Sequence, residues 1–134
     1  MKSPTRSLLA AGIGLAISTS AFAQPFHITV NPTPITDALS HTVRMSVPNA
    51  SWLPGSNGKA VADGRLVIVL QNRRTGKKTD FIKTFYMRKD GPTSAFGTFV
   101  PNWNTSVFKA TSAKMQITIR SNGVNRTISV AVRS

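Results

Sequence analysis

Short segments in which apolar and polar side chains alternate dominate the chain after residue 25. In HTVRMSV, residues 41–47, the apolar side chains of Val43, Met45 and Val47 fall on one face. In SAKMQITIRS, residues 112–121, apolar residues again take every second position. A repeat of two residues indicates a β-strand with one buried face, because successive side chains point to opposite sides of a sheet. The sequence therefore predicts an all-β fold with little or no helix.

Seven strands are predicted, separated by segments rich in Pro, Gly, Asn and Ser. They cover residues 26–30, 41–47, 65–72, 80–89, 95–100, 112–121 and 124–133. Gly97 inside the fifth strand predicts a bulge, and Asn122–Gly123 predicts a type I′ hairpin turn between the last two strands. Seven short strands predict an immunoglobulin-like two-sheet sandwich of antiparallel strands. A small β-barrel is the alternative.

The first 23 residues have the composition of a secretory signal peptide. Lys2 and Arg6 supply positive charge, SLLAAGIGLAIS is an apolar core, and Ala21 and Ala23 are the small residues that a signal peptidase reads. The core is shorter than the ~20 apolar residues of a membrane span. We expect cleavage after Ala23, a single domain over residues 24–134 without a membrane span, and a periplasmic or secreted location.

Cysteine is absent from the chain. Small exported domains often depend on disulfides, whereas here strand pairing and packing must supply all the stability. We therefore expect no disulfide-linked partner.

The charge of the chain after residue 23 is strongly positive. Fifteen Lys and Arg residues stand against four Asp and no Glu, which gives a net charge of +11. A field of this sign favours polyanions such as nucleic acid, lipopolysaccharide phosphates, acidic glycans or an acidic protein. The same charge also serves solubility alone, and the composition does not decide between these two interpretations.

Few residues are suited to catalysis near neutral pH. All four carboxylates, Asp37, Asp63, Asp80 and Asp90, are predicted in connectors or turns, where Asp is common. His27 and His41, on the first two strands, are expected at a rim or facing solvent, and two His are too few ligands for a usual zinc site. We expect no enzyme, no metal and no cofactor. An enzyme with an unrecognised site is kept as an alternative.

The segment of residues 70–90 carries the candidate binding residues. If residues 65–72 and 80–89 form a hairpin, four cations gather at its tip. One interpretation places Lys83 at a sheet edge and all three aromatic residues of the segment in the core. The other makes Tyr86 part of a basic and aromatic platform for bases or sugars. The candidate binding residues are Arg73, Arg74, Lys77, Lys78, Tyr86, Arg88 and Lys89.

Two functions follow from these observations. The first is an exported, non-enzymatic binding module whose cationic surface meets an acidic polymer or acidic protein of the cell envelope. The alternative is a periplasmic protein-interaction accessory or chaperone that acts by adding a strand to an exposed sheet edge. Trp52 and Trp103, in predicted loops, are expected to anchor those loops to the core, and an exposed contact patch is the alternative.

Overall fold

The structure is a computed structural model, and it describes residues 26–55 and 57–133. It consists of seven antiparallel strands and one 3₁₀ turn, Ala50–Trp52. The strands are β1 (His27–Asn31), β2 (His41–Ser46), β3 (Ala60–Asn72), β4 (Lys78–Gly91), β5 (Ser94–Phe99), β6 (Phe108–Ile119) and β7 (Asn125–Val130). The predicted signal peptide, residues 1–23, lies outside the described residues. In the described part of the chain no helix is long and apolar enough to cross a membrane.

All seven strands belong to one sheet, in the order β1-β2-β5-β4-β3-β6-β7. The two ends of the sheet meet through a parallel bridge between Ile35, which follows β1, and Val132, which follows β7. The Ile35 N–H donates to the Ala131 carbonyl at 2.8 Å, and the Arg133 N–H donates to the Ile35 carbonyl at 2.9 Å. The sheet is therefore nearly closed and barrel-like. The all-β prediction is confirmed, and the architecture agrees with the barrel alternative, because the described strands do not separate into two sheets.

The interior of the barrel is filled by the alternate side chains that the sequence pattern predicts. On β2, Val43 and Met45 are buried and Arg44 and Ser46 are exposed. Strands β3 and β6 contribute the longest buried rows: Ala62, Leu66, Ile68, Leu70, Ala110, Ala113, Met115, Ile117 and Ile119. The alternation holds along nearly the whole sheet, so the outer face is free to carry polar and charged groups.

Two hairpins share one turn geometry. In the turn between β3 and β4, the Gly76 N–H donates to the Asn72 carbonyl and the Asn72 N–H donates to the Lys77 carbonyl, both at 2.8 Å. Between β6 and β7, Gly123 and Ile119 make the equivalent bonds. Gly76 and Gly123 have φ of +75° and +71°, a conformation that glycine adopts without steric cost. The hairpin at Asn122–Gly123 is confirmed, but its type I′ turn is wrong, because only Gly123 of that pair has positive φ.

The bulge predicted at Gly97 is wrong. Gly97 pairs in regular register with Val43 of β2, and glycine is needed there because a Cβ would overlap the Tyr86 carbonyl oxygen. The irregularities in pairing lie elsewhere, between Ala60 and Ala62, Val69 and Leu70, and Lys89 and Gly91.

Candidate cationic and aromatic binding surfaces

The turn between β3 and β4 holds four predicted site residues in one exposed group: Arg73, Arg74, Lys77 and Lys78. The side-chain oxygen of Asn72 fixes the turn by accepting the N–H groups of Arg74 at 2.9 Å and Thr75 at 3.0 Å. Arg73 is held more firmly, since its Nε donates to the Thr105 carbonyl at 2.8 Å and its N–H to the Val107 carbonyl at 2.9 Å. The backbone of the turn is therefore ordered, and its cationic side chains extend from defined positions.

A fifth cation joins this group through strand pairing. Gln71 of β3 pairs with Lys78 of β4 on one side and with Lys109 of β6 on the other, so both lysines emerge beside the turn. We call the five residues the cationic end: Arg73, Arg74, Lys77, Lys78 and Lys109. The sequence could not place Lys109 there without the register of β6. Asp80 lies two residues beyond Lys78 on the same face of β4, and it makes no ion pair among the described residues.

Tyr86, Arg88 and Lys89 lie far from the cationic end. Eight residues of extended strand separate Lys78 from Tyr86, which at ~3.4 Å per residue is roughly 27 Å. That distance exceeds the ~8 Å over which salt screens charges at physiological ionic strength. Lys89 also leaves β4 on the opposite face from Tyr86 and Arg88, because it pairs with the buried Ala95. The seven candidate residues therefore do not form one site.

Tyr86 and Phe96 instead lie in a second group on the outer face, which we call the arginine–aromatic patch: Arg44, Tyr86, Arg88, Phe96 and Arg120. Tyr86 is 62% exposed and Phe96 36% exposed, so the interpretation that buries all three aromatic residues of β4 is wrong for Tyr86. The Arg120 guanidinium lies 5.6 Å from the Tyr86 ring centre, and that of Arg44 lies 5.7 Å from the Phe96 ring centre. Both distances fall within the range of cation–π attraction.

Each arginine of this patch is already engaged by the protein itself. Arg120 makes a two-pronged ion pair with Asp63, in which Nε donates at 3.0 Å and Nη2 at 2.8 Å, and this hydrogen bonding to Asp63 raises the pKa of Arg120. Arg44 Nη1 bonds Asp90 at 3.0 Å, and Arg88 donates to the Gly58 carbonyl.

Asp90 joins three strands at the edge of the patch. It accepts a hydrogen bond from the Ser94 hydroxyl at 2.7 Å in addition to the one from Arg44. The Ser94 hydrogen bond has the largest effect and lowers the pKa of Asp90; burial, the next in size, raises it, and the hydrogen bond and charge of Arg44 lower it further, so that the net shift is downward. The carboxylate is therefore stabilised in its charged form in the folded protein.

Three of the four carboxylates do not occupy the turns that were predicted for them. Asp63 lies within β3, between Tyr86 of β4 and Thr118 of β6, and Asp80 and Asp90 lie within β4. The predicted start of this strand at residue 65 is wrong, since β3 begins at Ala60. Pairing on both sides holds residues 62–64 in the sheet and outweighs the turn preference of the Asp-Gly pair.

The two histidines have different environments and do not approach each other. His27 is exposed and pairs with Ser46, five residues along β2 from His41. His41 is fully buried, contrary to prediction. Its Nδ1 bonds the Pro32 carbonyl at 2.7 Å, its Nε2 accepts the Thr36 N–H at 3.1 Å, and its ring stacks on Phe99. No group of three His, Cys, Asp or Glu side chains suited to a metal occurs in the residues that the structure describes.

Both tryptophans anchor loops, as predicted. Trp103 is 4% exposed within the core, and Trp52 is partly buried with its ring edge against Phe26, 6.4 Å between ring centres. An exposed tryptophan patch is therefore not formed. Comparisons of the chain with protein-family models, with curated proteins and with solved structures found no significant match.

Proposed function

We propose that this protein is an exported, non-enzymatic binding module whose cationic end binds an acidic polymer or acidic protein of the cell envelope. The observation that carries the proposal is the clustering of five exposed cations around one turn, with Asp80 as the nearest carboxylate along the chain. Exposed cations that lie close together cost little free energy in water. They bind favourably to an approaching polyanion, since together they neutralise several of its charges at once.

The cationic end suits this role better than the arginine–aromatic patch. In the patch, Asp63 and Asp90 already neutralise two of the arginines. A polyanion binding there would have to compete with carboxylates of the protein itself. At the cationic end no lysine or arginine forms an ion pair within the described residues. Electrostatic capture with little shape specificity is the expected mode, because the cations stand on flexible side chains around an exposed turn.

The test compares two triple variants of equal net charge on immobilised heparin. The first replaces Arg74, Lys77 and Lys78 with Gln. It keeps Arg73, whose bond to the Thr105 carbonyl holds the turn. The matched control replaces Lys59, Lys114 and Arg133 with Gln, which are exposed positions outside the cationic end.

The wild type and the control are expected to elute at similar salt concentrations, and the first variant at a clearly lower one. Purified lipopolysaccharide, as vesicles, should give the same ranking. Equal losses in the two variants would assign binding to net charge alone and would overturn the proposed site. Retention that does not respond to salt would argue against electrostatic capture as a whole.

A further inference from the structure

The wall of the barrel opens between β4 and β5. Strand β4 pairs with β3 from Lys78 to Arg88. It pairs with β5 only at Arg88, Lys89 and Gly91. From Lys78 to Phe85, the β5 side of β4 has no strand partner within the described part of the chain, whereas at Tyr86 β5 lies against β4 through Gly97. The far end of β5, residues 97–99, pairs with β2 alone.

The position of Gly97 shows which backbone groups face this opening. A Cβ on Gly97 would overlap the carbonyl oxygen of Tyr86, so that carbonyl points from β4 towards β5. In an antiparallel strand the N–H and C=O of one residue point the same way, and the direction alternates along the chain. Thr84 and Ile82 therefore direct their N–H and C=O groups to the same side of β4, where the opening lies, whereas Phe81, Lys83 and Phe85 direct theirs to β3.

Side chains line the opening as a groove of about 350 Å³. Its floor includes Phe85 and Phe99, which stack with ring centres 5.3 Å apart. Lys83 lies on the same inward face of β4 as Phe85 and is half-buried. It takes part in neither of the two ion pairs of the described residues. A partly desolvated ammonium group beside aromatic rings favours a carboxylate as its neighbour.

We propose that an extended acidic segment of a partner protein adds to β4 in this opening and completes the wall of the barrel. Its backbone pairs with Ile82 and Thr84, whereas the Tyr86 carbonyl oxygen is already covered by Gly97 of β5. An apolar side chain faces the partly buried Phe81, and a carboxylate two positions away faces Lys83. This surface is separate from the cationic end, so the inference does not depend on the proposed function.

Charge selects such a partner over a second copy of this chain. If two copies paired β4 to β4 in antiparallel fashion around Lys83, the two ammonium groups would lie opposite each other. Like charges directly across a sheet are destabilising, and an inward-pointing lysine is a known protection of sheet edges against self-association. The net charge of +11 after residue 23 also makes two copies of the chain repel each other at longer range.

The first experiment measures amide hydrogen exchange of the free protein. Ile82 and Thr84 should exchange fast, and Phe81, Lys83 and Phe85 slowly, because only the second group bonds to β3. The second experiment titrates a capped peptide, TVTETVT, which places valine, glutamate and valine on one face. Binding should slow exchange at Ile82 and Thr84.

Two control peptides separate the contribution of the backbone hydrogen bonds to binding from the contribution of the charge. TVPEPVT has the same net charge but lacks the two N–H groups that would pair with β4, and TVTKTVT reverses the central charge. Both should bind the wild type roughly tenfold or more weakly. The variant Lys83→Glu should reverse the preference between TVTETVT and TVTKTVT, while Lys114→Glu on the outer face of β6 should leave it unchanged.

The proposal is overturned if TVTETVT fails to bind, or if TVPEPVT binds equally well. Equal protection of Ile82, Lys83 and Thr84 in the free protein would also overturn it. These measurements on the wild type stand whether or not Lys83→Glu folds.

Discussion

The ring of Phe85 on β4 lies directly over Gly64, its partner on β3. A Cβ on Gly64 would overlap the ring, and the ring also stacks on Phe99 of β5. The glycine thus makes room for an aromatic residue that packs across the barrel interior next to the opening. A glycine costs stability in a strand, and the packing of Phe85 offsets that cost.

Replacement of Gly64 with Ala should destabilise the protein by about 1–3 kcal/mol, because the added methyl group overpacks the interior. Urea unfolding monitored by tryptophan fluorescence measures the change. Gly55→Ala is the control, since nothing lies within 4 Å of its added Cβ, and it should stay within about 0.5 kcal/mol. The double variant Gly64→Ala/Phe85→Leu should recover part of the loss, and its failure to do so would show that the overlap with Phe85 is not the cause.

His41→Ala should cost about 2–4 kcal/mol, because it leaves a cavity and removes the hydrogen bonds to the Pro32 carbonyl and the Thr36 N–H. His27→Ala should change stability by less than about 0.5 kcal/mol, since His27 is exposed. Thermal unfolding of the two variants compares them directly. Equal, small effects would contradict the structural role of His41. Loss of any activity in a His41 variant must accordingly be checked against loss of folding.

Asp90→Asn should lower the free energy of unfolding at neutral pH by up to about 1 kcal/mol, a small value because Arg44 and Asp90 are both partly exposed. The pKa of Asp90 is lower in the folded than in the unfolded protein. Its contribution is therefore fully present above the unfolded-state pKa and is lost as the pH falls through the folded-state pKa.

The wild type and Asp90→Asn should thus converge in stability in acid, which urea unfolding at a series of pH values measures. The variant Ser94→Ala removes the largest of the interactions that lower the pKa of Asp90. In this variant an NMR titration should therefore show that the pKa of Asp90 rises towards its ordinary value. A difference between wild type and Asp90→Asn that stays constant down to strong acid would contradict this account.

The seven strands could be predicted because the buried face of each strand can be read from the alternation of apolar and polar residues along its own sequence. The closure of the sheet could not, because it depends on a bridge between Ile35 and Val132, two positions that no local pattern links. A two-sheet sandwich and a one-sheet barrel of seven short strands have the same alternation of apolar and polar residues, so the sequence alone does not decide between them.

The same contrast applies to the candidate sites. Arg73, Arg74, Lys77 and Lys78 come together because one short turn connects them. Arg120 reaches Tyr86 and Asp63 only because β3 pairs with both β4 and β6, and 57 positions separate Arg120 from Asp63 along the chain. Separations of this kind depend on the register of paired strands, which is a property of the assembled sheet.

The salt dependence of polyanion binding tests the central claim most directly. A short DNA duplex serves as a probe with known charge spacing, and its affinity is measured by fluorescence anisotropy over a range of salt concentrations. Neutralising Arg74, Lys77 and Lys78 together should make the slope of log affinity against log salt shallower by up to about 2.7, because each phosphate that the protein neutralises adds about 0.9 to the slope. Neutralising Lys59, Lys114 and Arg133 should leave the slope nearly unchanged. Equal slopes in the two triple variants would contradict the assignment of binding to the cationic end.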